Sequence, residues 1–211
     1  MKNTKINLYI NYFRHNNEQR QKEIDYCLQK NINNKYIDKI YILSKENYEI
    51  FHNDKIKIIP IEKRPSYNYF FKTINKISQN DNINIIANLD IYFDETIIYA
   101  KNIKNNQCFA LTRWEIKKDK IKFLNKGCSQ DSWIFKGKIK NIKSDFYLGR
   151  MGCDNKIAYE IQQAKYKITN PSRTIKTYHL HQIKHTRNYE NKKVLPPPYL
   201  NVPTTRIKAN R

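Results

Sequence analysis

Glycine is scarce in this sequence, with four residues in 211, and proline contributes only seven. That composition excludes a collagen-like repeat and a disordered chain rich in Gly and Pro. It also leaves the loop after the first expected strand, "NYFRHNNEQR", without a glycine. A Gly-rich loop lets backbone amides close around a phosphate, so its absence argues against a sugar nucleotidyltransferase. The four cysteines, Cys27, Cys108, Cys128 and Cys153, show no CxxC spacing. Neither a zinc site nor a disulfide framework is indicated, and free thiols in a reducing compartment are expected. No apolar run reaches the ~18 residues a membrane span needs, and the run in "MKNTKINLYINYFRHNN" is too short for a signal peptide. No transmembrane segment is expected. The sequence reads as cytoplasmic, with peripheral attachment to a membrane left open.

Acidic residues are the other shortage. Nineteen Asp and Glu against 40 Lys and Arg give a formal net charge of +21. Such a charge suits an anionic partner: nucleic acid, an acidic membrane surface or a phosphorylated small molecule. A uniform bias toward Lys, Asn and Ile, visible in "KNINNKYIDKIYI", accounts for the same excess. The basic residues form no long block and do not alternate with aromatics in a repeated unit, which argues against a dedicated nucleic-acid module.

What remains is a chain that is 39% hydrophobic and long enough for one α/β domain with a sizeable core. Its first half alternates strand patterns over 6–10, 39–44, 55–61 and 83–89 with helical patterns over 18–30 and 67–77. Strands joined by crossover helices predict a mostly parallel sheet flanked by helices, with ligands bound outside the carboxyl ends of its strands. The second half predicts a short helix over 95–101, a hairpin from "CFALTRWEI" and "KIKFL", a strand in "SWIFKG", a helix over 154–165 and a last strand in "TIKTYHLH". Residues 191–211, with four of the seven prolines, read as a linker or extended tail.

The buried strand over 83–89 ends in "ANLDIYFDETI", where an acid closes an apolar run. Strand alternation puts Asn88 and Asp90 on one face, and an amide beside a carboxylate suits a hard divalent cation and the hydroxyls of a ribose. A capping role for Asp90 is the structural alternative, although Asp94 and Glu95 suit the next helix start better. As structure, Asp131 reads as a turn acid before a core Trp133, and Asp154 as a helix cap. His179 and His181 share a strand face, where an imidazole could complete a metal shell or simply meet solvent. Tyr12 reads as a ring that stacks on a base or as a core residue at a strand end, and Arg64 and Arg113 as contacts to phosphate or sugar hydroxyls or as solvated side chains.

The segment "INIIANLDIYFDETI" resembles the DxD region of GT-A fold glycosyltransferases, with Asn88 in the first acidic position and Asp90 in the second. The succession "ALTRWE", "GCSQDSWIF", "LGRMGCDNKIAYEI" and "IKTYHLH" is similar to that of small virus-encoded and bacterial GT-A domains, and covers the chain to about residue 189. "SQD" resembles the acid-bearing loop of retaining xylosyl- and galactosyltransferases. This resemblance implies a Rossmann-like α/β fold with a mixed, mostly parallel sheet. It implies one catalytic domain over 1–190, with a nucleotide-sugar half over 1–100 and a hairpin-containing acceptor half over 101–190. The tail over 191–211 then suggests a larger multidomain chain. The resemblance further implies Mn2+ or Mg2+ on Asp90 with His179 or His181, Asn88 on the nucleotide, Asp131 beside the anomeric carbon, and Asp154 in the place of the general base of inverting members. The implied reaction is metal-dependent transfer from a nucleotide sugar, a UDP sugar, to a glycan or other hydroxyl acceptor, with retention favoured. The rivals are a basic nucleic-acid-binding protein and an inactive GT-A scaffold. Asn88 is a departure from the pattern, because losing a carboxylate weakens the field that attracts a cation.

Overall fold

A computed structural model describes residues 4–46, 53–117, 120–140, 142–180, 182 and 194–207. In chain order the strands are β1 (Ile6–Asn11), β2 (Lys39–Ser44), β3 (Ile56–Pro60), β4 (Ile83–Ala87), β5 (Ile91–Phe93), β6 (Gln107–Leu111), β7 (Trp114–Lys117), β8 (Lys120–Phe123), β9 (Ser132–Lys136), β10 (Lys167–Thr169) and β11 (Thr177–Leu180). The helices are α1 (Glu18–Asn33), α2 (Tyr67–Ile77) and α3 (Cys153–Gln163), with a 3-10 helix over Glu95–Asn102.

The large sheet has the order β10-β6-β9-β4-β1-β2-β3. Its neighbours pair in parallel except at β9, which runs antiparallel to both β4 and β6. This is the mixed, mostly parallel α/β sheet that the alternating pattern predicts. The central strands β1, β4, β6 and β9 are buried along nearly their whole length because both faces of the sheet are covered there. Ile6, Leu8 and Ile10 of β1 pack with Ile24, Leu28 and Ile32 of α1, while Tyr9 points the other way into a cluster with Phe70 and Ile74 of α2 and Ile157 of α3. Each fully buried Ile or Leu contributes about 1.5–3 kcal/mol, so these two layers supply most of the driving force.

Local chemistry sets the helix starts. The Asn17 side chain accepts from the Arg20 N–H at 2.9 Å to begin α1, and Ser66 accepts from the Tyr69 N–H at 3.3 Å to begin α2. The 3-10 helix starts at Asp94, whose carboxylate accepts from the Thr96 N–H at 2.9 Å.

Three features differ from the sequence reading. The stretch "CFALTRWEI" is two strands in different sheets. At Thr112 the chain leaves the ladder: its N–H goes to Asn170 Oδ1 at 3.2 Å and Ser172 Oγ at 2.8 Å, and its hydroxyl to Lys126 O and Ser129 O, both at 2.9 Å. The hairpin is therefore β7–β8, and it belongs to a second sheet of order β5-β11-β7-β8. The helix expected to start at Asp154 starts at Cys153, with Gly152 as the N-cap in a left-handed conformation, so Asp154 lies in the first turn and is not the cap. Residues 194–207 carry no helix or regular strand, yet Leu195 and Val202 are buried and the Val202 N–H donates to Gly127 O at 2.7 Å.

Glycine scarcity leaves a mark at the end of α3. The N–H of Tyr166 reaches Ile161 O at 3.3 Å and that of Lys165 reaches Gln162 O at 2.9 Å, the pattern of a Schellman cap. Its left-handed position is held by exposed Lys165, with φ of 69°. A side chain there costs about 1 kcal/mol relative to glycine. Lys165→Gly should therefore raise stability in urea denaturation by roughly that amount; a loss of stability would show that the lysine side chain is needed.

Candidate active site

The carboxyl ends of β1 and β4 lie side by side at the point where strand order reverses, since β2 and β3 extend one way from β1 and β4 lies on the other. A cleft of about 240 Å³ opens there, lined by Asn11, Phe13, Arg20, Arg64, Asn88 and Asp90, among others. This is the crevice in which open α/β sheets bind ligands.

Asp90 sits two residues beyond Asn88, just before β5. Because β11 pairs antiparallel with β5, matching His179 to Ile91, the ladder carries His179 to Asp90, and the Leu180 N–H reaches Asp90 O at 3.3 Å. His179 Nε2 lies 2.9 Å from Asp90 Oδ2. The Arg20 guanidinium of α1 donates to the same oxygen through Nη2. Its Nη1 donates to Glu23 Oε2 at 2.5 Å and to Leu180 O at 2.9 Å. Burial would push the Asp90 carboxyl up, but His179, and then Arg20, outweigh it and hold the group well below the usual carboxylate range.

A second cluster forms because β9 is reversed. Its first residue, Ser132, pairs with Ala87 and with Leu111, so Asp131 stands at the same sheet edge as Asn88. The Asn88 N–H donates to Asp131 O at 2.9 Å, and Asn88 Nδ2 donates to Asp131 Oδ1 at 3.0 Å. Arg113, just past β6, grips both Asp131 oxygens through Nη1, at 3.2 and 3.0 Å, and reaches Glu115 at 3.2 Å. Asp154 lies behind them, accepting from the Gln130 N–H at 3.3 Å and from Cys153 Sγ at 3.1 Å. Burial, and then the charge of Asp131, push its carboxyl up to about 7.

The structure thus brings Asn88, Asp90, Asp131, Arg113, Asp154 and His179 to one edge. Arg64 lines the cleft, bonded to Leu148 O and stacked over Tyr147 with 5.3 Å to the ring centroid. Tyr12 does not line it: the residue is 2% exposed and its hydroxyl donates to Asp25 Oδ1 at 2.6 Å, while the aromatic ring at the cleft is that of Phe13, 50% exposed. His181 lies outside the described residues. Arg20 and Glu23 escape a residue-by-residue reading. Their signal is positional, because they extend the buried stripe Ile24, Cys27, Leu28, Asn31 and Ile32 along one face of α1.

A divalent ion needs hard ligands converging from more than one element. Asp90 and His179 supply a carboxylate and an imidazole that already share one point, so the donor set fits such an ion. No cluster of three or more His, Cys, Asp or Glu side chains suited to a metal occurs among the described residues. No helix among them is long and apolar enough to cross a membrane.

No protein-family model matches the sequence, and a search of curated proteins finds no match either. Solved structures do match. The mannosyltransferase of Pyrobaculum calidifontis, in complex with GDP-Man and Mn2+, superposes with a TM-score of 0.53 at 11% identity, over 88% of this chain and 58% of that one. GalNAc-T7 with UDP, GalNAc and Mn2+ gives 0.54 at 8% identity, over 86% of this chain and 44% of that one. A cytidylyltransferase from Francisella tularensis gives 0.45 at 16% identity, over 89% and 97% of the two chains. The fold is the GT-A fold of the first two, and this chain spans about half of their length.

Asp154 gives the site a pH signature. Its carboxyl is near 3.8 in an unfolded chain and about 7 in the native one, so between those values the native state holds a proton that the unfolded chain releases. Stability should therefore fall as pH rises through that window and level off above it. Asp154→Asn removes the step, and melting curves recorded across the window should show wild type losing Tm relative to the variant; parallel profiles would refute the assignment.

Proposed function

We propose that this chain is a metal-dependent glycosyltransferase that moves a sugar from a nucleotide sugar, a UDP sugar, to a hydroxyl of a glycan or similar acceptor. The observation that carries this reading is the convergence of Asn88, Asp90 and Asp131 at the carboxyl edge of β4, beside a cleft walled by Arg20 and Arg64. Arginines facing acids and an amide suit a ligand that is anionic at one end and polyhydroxylic at the other. The fold shared with two glycosyltransferases supports the same class.

On this reading residues 1–100 supply most of the donor site and 101–190 the acceptor side. Asn88 contacts the nucleotide, Phe13 offers the ring for a base, and Arg64 faces the diphosphate. Asp90 and His179 would hold Mn2+ or Mg2+, which when bound neutralises charge building on the departing diphosphate. Asp131, fixed between Asn88 and Arg113, presents negative charge where the sugar becomes oxocarbenium-like. A carboxylate gripped this way is a charge held in place, which favours retention. The acceptor proton then passes to the leaving phosphate oxygen, and no protein base is required. Asp154 holds the Gln130–Asp131 loop through the Gln130 N–H.

The test is thermal. UDP with Mn2+ should raise Tm above UDP alone, by a stabilisation of about 2.7 kcal/mol at ligand near 100 times Kd. Asp90→Ala should remove the Mn2+ contribution, and EDTA should abolish transfer from a UDP sugar. Full transfer activity in Asp90→Ala, or no Mn2+-dependent shift in wild type, would sink the proposal. The anomeric configuration of the product, read by NMR, decides retention.

A further inference from the structure

A buried arginine holds the Asp90 oxygen that faces His179, the partner in the proposed metal pair. Arg20 is 7% exposed, it lines the cleft, and its guanidinium donates to Asp90 Oδ2, the oxygen that also meets His179 Nε2. A guanidinium and a divalent ion on one carboxylate oxygen repel each other and compete for its lone pairs, so each weakens the other's hold.

We propose that Arg20 is a resident counter-cation that competes with the divalent ion for Asp90 and turns to the donor's diphosphate when displaced. The inference rests on the nucleotide-sugar reading above. Two observations make the exchange feasible. Arg20 Nη1 has its own partners in Glu23 Oε2, at 2.5 Å, and Leu180 O, at 2.9 Å, so the side chain keeps an anchor when Nη2 leaves Asp90. The anchor residue is also held, since the Gln182 N–H donates to Glu23 Oε1 at 2.8 Å. Nη2 can then swing into the cleft that Arg20 already lines, where a diphosphate offers it a new anionic partner.

The exchange has a thermodynamic consequence. Metal alone must evict Arg20 without compensation, whereas metal with a nucleoside diphosphate supplies the guanidinium with a replacement. Part of the mutual enhancement of Mn2+ and nucleotide binding therefore comes from Arg20 and is reciprocal between the two ligands. Without nucleotide, Arg20 keeps Asp90 paired and metal binding weak.

Mn2+ affinity, measured by loss of the free-ion EPR signal with and without UDP, tests this on the full chain. Removing the resident cation should tighten Mn2+ binding in the absence of nucleotide by about tenfold or more in Arg20→Met, and by less in Arg20→Lys, whose point charge cannot fork between Asp90 and Glu23. The factor by which UDP strengthens Mn2+ binding should be smaller in Arg20→Met than in wild type. If Arg20→Met does not fold, Arg20→Lys carries both comparisons with the same signs. Equal Mn2+ affinity in wild type and variants overturns the role of Arg20 while leaving the metal site intact. Failure of wild type to bind Mn2+ even with UDP overturns the metal-dependent reading as well.

Discussion

Asp90 is a charged group at the end of a strand buried on both faces, and a charge in that position persists only with partners. Its partners come from far away in sequence: Arg20 is 70 residues distant and His179 is 89. One carboxylate thereby ties the end of β4 to α1 and to β11. The backbone supports the same arrangement, because β5 begins immediately after Asp90 and β11 pairs along it. The two supports reinforce each other. β11 is paired on one side with the three-residue β5 and on the other with β7, and this ladder lowers the entropy lost when the long side chains of the ion pair are fixed.

The second constraint is the direction of β9. In a wholly parallel sheet the residue before a strand lies at the amino edge, away from the ligand crevice. Reversing β9 between β4 and β6 puts the residue before it at the carboxyl edge. Asp131 thus meets Asn88 through backbone and side chain together, and Arg113 arrives from the end of β6, antiparallel to β9. The amide at position 88 gains a use that a carboxylate would lack: Asn88 Nδ2 donates to Asp131, where an aspartate would place two like charges about 3 Å apart.

Much of the large sheet was legible because its signals are local. The β2 strand and α2 fall on the residues that periodicity indicates, and the acid closing β4 stands out against its apolar run. The second sheet was legible only in parts. The strand in "TIKTYHLH" is β11 and the polar "KKD" separates β7 from β8, but the three-residue β5 carries no periodicity, and the pairing of β11 with β5 and β7 is tertiary. Tyr12 and Arg20 differ in this respect. An aromatic just past a strand end carries no local mark of whether it turns into the core or faces the cleft, and Tyr12 turns into the core. Arg20 continues the buried stripe of α1, but only the tertiary fold brings that stripe's end to the ligand crevice.

The distribution of charge bears on what the crevice is for. A surface that tracks a nucleic-acid backbone gains affinity from each cation it presents and loses it with each anion. This chain has 40 basic against 19 acidic residues, yet it brings Glu23, Asp90, Asp131 and Asp154 to one sheet edge and pairs three of them with Arg20 and Arg113. Setting acids inside a basic molecule weakens attraction for a polyanion at that edge. It also creates alternating fixed charges at short range, which a small ligand with a diphosphate and hydroxyls can satisfy group by group. The net basicity of the chain still raises the local concentration of such an anion. Long-range basicity and a mouth of alternating short-range charges are thus compatible with one small anionic ligand, and are poorly matched to a long phosphate backbone.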